Sequence, residues 1–335
     1  MEQNSFTFPM ARSFKILRRS IHSFINNYNY TTTSLLLAFP FSSALLFSQF
    51  FLPSSPLFLT IHNHLNSLFE AAGFPPSSQL LFTIFNHYIS QTITSSILVL
   101  PFTLSFLLIS KASIILDFLH DHQQQKPSFA SFLSIYNSIL STQICNSLLI
   151  LSANASCFSL LFIAFSCLEA SGYSSASSLL FLSATGAILY SIILGNSFIV
   201  CNLALVTSGM DKSGGFSAIL KACVLIRGWT TTALALAIPV NMALVAVEAL
   251  FHYRVVRAFN PASSSTAFEG IIIAWLYTII VVIDTIVNYK FFKSCKRGFR
   301  IDEEGGYAYL VRIEGQNGKT VEELPLSSKD ADNFI

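Results

Sequence analysis

The sequence predicts an all-α fold, a polytopic membrane bundle of about six transmembrane helices with amphipathic helices along its inner face. Three observations predict it. Only 11% of the 335 residues are charged and 53% are hydrophobic, whereas a soluble domain carries about 25% charged residues. Residues 20–69, 71–110, 127–168, 170–210 and 228–247 contain no Lys, Arg, Asp or Glu, and crossing a bilayer takes roughly 20 apolar residues. Basic residues fall in clusters that alternate along the chain, as they do when cytosolic loops collect Lys and Arg.

These runs place spans at about 31–53, 88–111, 138–168, 178–208, 229–251 and 269–291. The arm before the first carries Arg12, Lys15, Arg18 and Arg19, so it is expected in the cytosol. Segment 54–87 holds only Glu70 and segment 169–177 has no basic residue, so both belong on the far side. Segment 112–137 brings Lys126, with Lys111 at its edge; Lys212, Lys221 and Arg227 mark 209–228; Lys290, Lys293, Lys296, Arg297 and Arg300 follow the sixth span. Both termini are therefore expected in the cytosol, with the endoplasmic reticulum, endomembranes or plasma membrane as the compartment. Arg254 and Arg257 run against the pattern. The basic, serine-rich start also fits an organelle transit peptide, but it lacks the small-residue cleavage site of a secretory signal.

Three regions follow: a basic amphipathic arm over 1–30, the six-span domain over 31–292, and a cytosolic tail over 293–335. In the tail, "YAYLVRIEGQNGKTVEEL" alternates around Asn317-Gly318, the signature of a small hairpin before a disordered end. Between spans one and two, "LTIHNHLNSLFEAAGF" predicts a short surface helix ending near Gly73. Pro40, Pro101 and Pro239 each remove a backbone donor inside a span and should kink it.

Inner helices are expected at about 12–28, 129–137 and 214–227. Each begins with a small residue and a Phe (Phe14, Phe129, Phe216) ahead of an apolar pair ending in Leu. This suggests three copies of a unit made of one inner helix and a two-span hairpin. The intervals, about 115 and 87 residues, are unequal, and repeats are diagnosed by a fixed period, so chance likeness in low-diversity apolar sequence remains a rival. Within the third copy, Ser213, Ser217, Lys221, Arg227 and Gly228 share about a third of the helical circumference at about 100° per residue. That pattern, too short to span, suits a helix lying in the membrane surface, with Trp229 as an interfacial anchor. Arg12, Lys15, Arg18, Arg19, Lys221, Arg227 and Trp229 are accordingly the candidate headgroup-facing residues. Membrane lipids are the expected partners, with a protein partner at the cytosolic face as an addition.

Polar groups at membrane depth are the second candidate set, because charge there is costly and usually functional. Asp284, Glu248, Asn202 and Asn241 qualify. At 1.5 Å per residue, Asp284 and Glu248 should differ in depth by roughly 15–20 Å, which argues against one shared site. Ion pairing at the interface is the plainer role, with Arg227 or Lys290 as partners for Asp284. A transport pathway near Asp284 and the kinked helices is the alternative. His62/His64 and His120/His122 lack a third fixed ligand, so no metal is expected. The six cysteines contain no CxxC and read as inert thiols in apolar surroundings. A net charge of +2 is too small to imply a nucleic-acid partner. No GxSxG, HExxH, P-loop or dinucleotide fingerprint is present, so neither catalysis nor a cofactor is expected.

Three blocks occur in a fixed order: "SFKILRRSIHSF…LLLAFPFSSALL", "NSFIVCNLALVTSGMDKSGGFSAILKACVLIRGW" and "TIVNYKFFKSCKRG". Together they resemble a plant-specific, uncharacterised family of six-span membrane proteins, sometimes labelled polyadenylate-binding-protein-binding-like. In that family the middle block ends a span near a Gly and finishes its Ser-containing helix in Leu-Ile-Lys-Gly. Gly209, Ser217 and Leu225-Ile226-Arg227-Gly228 stand in those places, with Arg for Lys. The resemblance covers about residues 12–300 and implies six spans but no activity. A more distant likeness, resting on layout, is to the membrane domain attached to some glycerophosphodiester phosphodiesterases; no hydrolase domain is present here.

Overall fold

The computed structural model describes residues 9–26, 28–52, 55–71, 79–123, 129–171, 176–257 and 264–304. All the regular structure among them is helical. In order these are α1 (Pro9–Asn26), α2 (Tyr28–Phe51), α3 (Pro56–Ala71), α4 (Gln79–Phe102), α5 (Leu108–Gln123), α6 (Phe129–Ala170), α7 (Ala176–Asp211), α8 (Phe216–Ile226), α9 (Thr230–Phe251) and α10 (Ser264–Glu304). One π-turn, Thr103–Leu107, joins α4 to α5, and another, His252–Val256, extends α9. Six helical stretches are long and apolar enough to cross a bilayer: Thr32–Phe51, Ile89–Leu119, Phe129–Leu168, Leu180–Asp211, Thr230–Val256 and Ala267–Lys296. The protein is therefore an integral membrane helical bundle in its overall character.

Several boundaries differ from those the apolar runs suggest. The second span continues past 111 to Leu119. Pro101 cannot donate to the carbonyl one turn earlier, and the π-turn that follows widens the coil and lets the helix resume instead of ending. Side chains add bonds on either side of the break: Thr103 Oγ1 donates to Val99 O at 3.1 Å, and Tyr136 of α6 donates to Leu104 O at 2.9 Å. Residues 129–137 form the first turns of α6 with no break before the span. α10 runs on through position 293 to Glu304. The hairpin centred on Asn317-Gly318 lies outside the described residues, as do the side chains of His120 and His122.

The surface helix between spans one and two is present as α3, which packs along α4. His62 sits there in a structural setting, its ring stacked on Phe58 with centroids 5.8 Å apart and its Nδ1 3.4 Å from Ser90 Oγ. All six cysteines are free; Cys157, Cys201 and Cys295 are buried, whereas Cys167 and Cys223 lie on the outer surface.

Packing concentrates where the helices converge. The largest cluster joins Ile16 of α1, Leu35 and Ala38 of α2, Ile114 and Phe118 of α5, Leu203, Ala204 and Val206 of α7, α8, the first turns of α9, and residues of α10 between Val282 and Cys295. We call this the α1 end. A smaller cluster around Leu46, Phe251 and Tyr277 ties α2, α9 and α10 together further along. The antiparallel α6–α7 pair is held differently, by a series of hydrogen bonds. Ser138 Oγ donates to Ser208 O at 3.0 Å, the Gly215 N–H donates to Thr142 Oγ1 at 3.0 Å, Asn146 Nδ2 donates to Cys201 O at 3.0 Å, and Tyr190 Oη donates to Asn154 Oδ1 at 2.9 Å.

Small residues let these helices close. A Cβ on Gly209 would stand 3.0 Å from Ile115 Cδ1 and 3.2 Å from Ile139 Cδ1; one on Gly214 would stand 2.9 Å from the Ser138 carbonyl oxygen. A backbone atom has little freedom to retreat. Gly214→Ala should therefore destabilise the α6–α7–α8 junction by about 1–3 kcal/mol, read as a lower unfolding midpoint of the detergent-solubilised protein. Gly195→Ala, whose added methyl meets nothing within 4 Å, should leave the midpoint unchanged or slightly higher.

Candidate functional site

The first candidate site is built on α1. The helix starts at Pro9, where a missing amide hydrogen costs nothing. Ser13, Ile16 and Ser20 are buried against the bundle, and Leu17 and Phe24 pack partly against it. Ser13 Oγ donates to Thr232 O of α9 at 3.2 Å. The Arg12 guanidinium lies over the Trp229 ring, 4.5 Å from its centroid. Two residues from opposite ends of the candidate list thus meet in one contact, which pins the start of α1 to the entry of α9.

Away from the bundle, α1 shows a second apolar stripe. Phe14, Ile21 and Ile25 are exposed, Phe14 at 68% and Ile25 at 70%. At about 100° per residue these three fall within about 40° of one another. Arg18, His22, Lys15 and Arg19 follow over about the next 100°, all of them exposed. The helix has three faces: one fixed to protein, one apolar and uncovered, one cationic.

α8 is similar in outline and different in charge. Ala218, Ile219, Ala222 and Ile226 are buried, while Phe216, Leu220 and Val224 are exposed. Lys221 is held at one side by its neighbours, with its side chain still partly exposed. Its Nζ lies 3.7 Å from Asp211 Oδ2 and donates to Ser213 Oγ at 3.0 Å. Asp211 also pairs with Lys296 at 3.5 Å, so it links α7, α8 and α10. Arg227 is exposed at the end of α8, where Gly228 takes a left-handed φ of 86° and turns the chain into Trp229 and α9.

The second candidate set divides. Asn202, Asn241 and Asp284, from α7, α9 and α10, line one crevice of about 30 Å³ with Asn288, Phe198 and Leu236. That volume holds on the order of two waters. Asn288 Nδ2 donates to Asp284 Oδ1 at 3.0 Å, and to the Asp284 carbonyl at 2.9 Å. The charge of Lys111 on α5 acts on the Asp284 carboxylate. Glu248 stands apart from the crevice and accepts a hydrogen bond from Tyr277 Oη at 3.0 Å.

Lys111 and Asn288 were not singled out from sequence. Asn288 was legible, since a polar residue four positions after Asp284 shares its helical face. Lys111 was hidden because the apolar run appeared to end at it, and only continuation of the span to Leu119 puts it at membrane depth.

A family model described as a domain of unknown function, DUF8558, matches residues 1–304. The chain belongs to this family. No curated protein and no solved structure matches it. The DUF8558 match takes in α1 as well as the spans and stops at the last residue of α10.

Within this DUF8558 chain, neutralising Asp284 alone leaves Lys111 without its counter-charge in a low-dielectric interior. Removing one member of such a pair costs more than removing both. Asp284→Leu and Lys111→Met should each lower the unfolding midpoint in detergent more than the double variant does. A double variant as unstable as the sum of the singles would show that the two charges are not coupled.

Proposed function

We propose that this DUF8558 protein is a non-enzymatic integral membrane protein that organises the cytosolic leaflet through α1. The observation that carries this reading is the three-faced α1, docked by Ser13 and Arg12 with its apolar stripe and cationic arc turned outward. A helix of this kind lies in the interface plane, its apolar face among acyl chains and its cations among headgroups. Clustered Lys and Arg near a span attract anionic lipid at roughly 1 kcal/mol per basic residue. The excess of basic residues on the arm and after the sixth span supports a cytosolic α1 end, where a basic protein-binding face would also be accessible.

The test reads Trp229, which lies against Arg12, in a Trp275→Phe background that removes the other Trp. In nanodiscs, brominated phosphatidylserine should quench Trp229 more than brominated phosphatidylcholine does. Lys15→Gln with Arg18→Gln should reduce that preference by roughly tenfold or more, given roughly 1 kcal/mol per removed charge. No preference in the parent protein would overturn the reading.

A second reading has one specific observation behind it, the convergence of Asn202, Asn241 and Asp284 on a single small crevice. It is a pathway for protons or a small cation, since the volume admits nothing larger. Asp284→Asn in proteoliposomes should then abolish a proton- or monovalent-cation-dependent flux while the protein still elutes as a folded species. If the parent protein carries no such flux, the pathway reading fails.

A further inference from the structure

Beside the lipid-facing stripe, α1 and α10 enclose an open notch of about 370 Å³, lined by Arg19, His22, Ser23, Asn26 and Lys290. Its size falls in the range of ligand clefts, about 300–1,000 Å³. The α1 members sit at spacings of three, four and seven residues from Arg19, which puts them on one helical face. That face turns toward the end of the sixth span. Lys290 stands there on a rigid base: its Nζ lies 5.9 Å over the Phe118 ring, which is itself stacked on Tyr289 with centroids 4.5 Å apart. No carboxylate is among the lining residues, and α1 contains no Asp or Glu.

This inventory is one-sided. Arg offers a planar fork of donors and a fixed positive charge, Lys offers three donors, and the imidazole, hydroxyl and amide add three more partners. A carboxylate or a phosphodiester presents two charged oxygens with a single negative charge. A terminal phosphate presents three acceptor oxygens and about −1.5 to −2 charges, which matches two permanent cations with further donors at the rim. The notch also stands beside exposed Ile25, at the level where an interfacial helix meets headgroups.

We propose that this notch is a binding site for a terminal phosphate group, with Arg19 and Lys290 as its paired cationic ligands and His22, Ser23 and Asn26 as additional donors. The proposal rests on the leaflet-organising reading and sharpens it, from anionic lipid in general to a phosphomonoester. The same chemistry can be presented by a lipid headgroup or by a free soluble molecule, and the experiment separates the two.

The full chain in detergent is titrated with short-chain phosphatidylinositol phosphate, with phosphatidylinositol lacking the extra phosphate, with phosphatidylserine, and with free inositol phosphate. The expected result is at least tenfold tighter binding of the phosphorylated inositol lipid than of phosphatidylinositol. Arg19→Gln and Lys290→Gln should each remove that difference. Arg19→Lys should keep part of it, which shows that a loss in Arg19→Gln is not a loss of folding. Lys15→Gln with Arg18→Gln, outside the notch, should weaken all the anionic lipids alike and leave the ratio intact. Free inositol phosphate binding as tightly as the lipid would support the phosphate site and assign it to a soluble ligand. Equal binding of the two inositol lipids, or a ratio untouched by Arg19→Gln and Lys290→Gln, would overturn the proposal. If phosphatidylserine is still preferred over phosphatidylcholine in that case, the leaflet reading stands and only the notch fails.

Discussion

Helices already in lipid gain nothing by hiding apolar surface from one another, because acyl chains are as apolar as leucine. What remains is close packing and hydrogen bonding. In this chain that constraint is met by the α6–α7 series, where Ser138, Thr142, Asn146 and Asn154 engage successive points of α7 or its following loop. The antiparallel register of the pair sets the position of Gly209 against Ile115 and Ile139. It also delivers Gly214 and Gly215 to the foot of α6, which aims α8 and, through Gly228, α9. The docking point for α1 on Thr232 and Trp229 depends in turn on that aim. A few hydroxyl and amide groups thus determine where the basic helix rests.

The same solvent explains the intramembrane charges. A lone carboxylate among acyl chains is expensive, and Asp284 is surrounded by what it needs: an amide donor one turn away and a lysine across the bundle. Glu248 solves the problem separately with Tyr277. The result is a small polar crevice lined by residues of α7, α9 and α10.

The number and kind of spans were legible because composition decides them; uncharged stretches of this length have no other stable home. Their ends were less legible. Hydropathy records where apolar residues stop, not where hydrogen bonding stops, so α6 begins at Phe129 and α5 runs to Gln123. The exposed apolar stripe of α1 was readable from its wheel, since local periodicity alone creates it. The pairing of Lys221 with Asp211 was not, because a short turn bent at Lys212 and Gly215 brings the two together. Nor was the influence of Lys111 on Asp284, because it comes from another helix far away in sequence. The contact of Arg12 with Trp229, separated by most of the chain, belongs to the same class.

One dimension of the hairpin has a consequence for the membrane itself. α6 holds 42 residues and α7 holds 36, lengths of about 63 and 54 Å at 1.5 Å per residue. The hydrocarbon layer is about 30 Å thick. Along the far half of the pair, Leu148, Leu151, Leu160, Ile163, Leu180, Phe181 and Ile188 stay exposed, so greasy surface continues well beyond what an upright helix needs. Such a mismatch is relieved by tilting or by thickening the surrounding bilayer, at a cost that differs between thin and thick membranes. The length of the hairpin therefore makes the energetic fit of the chain depend on the thickness of the surrounding bilayer.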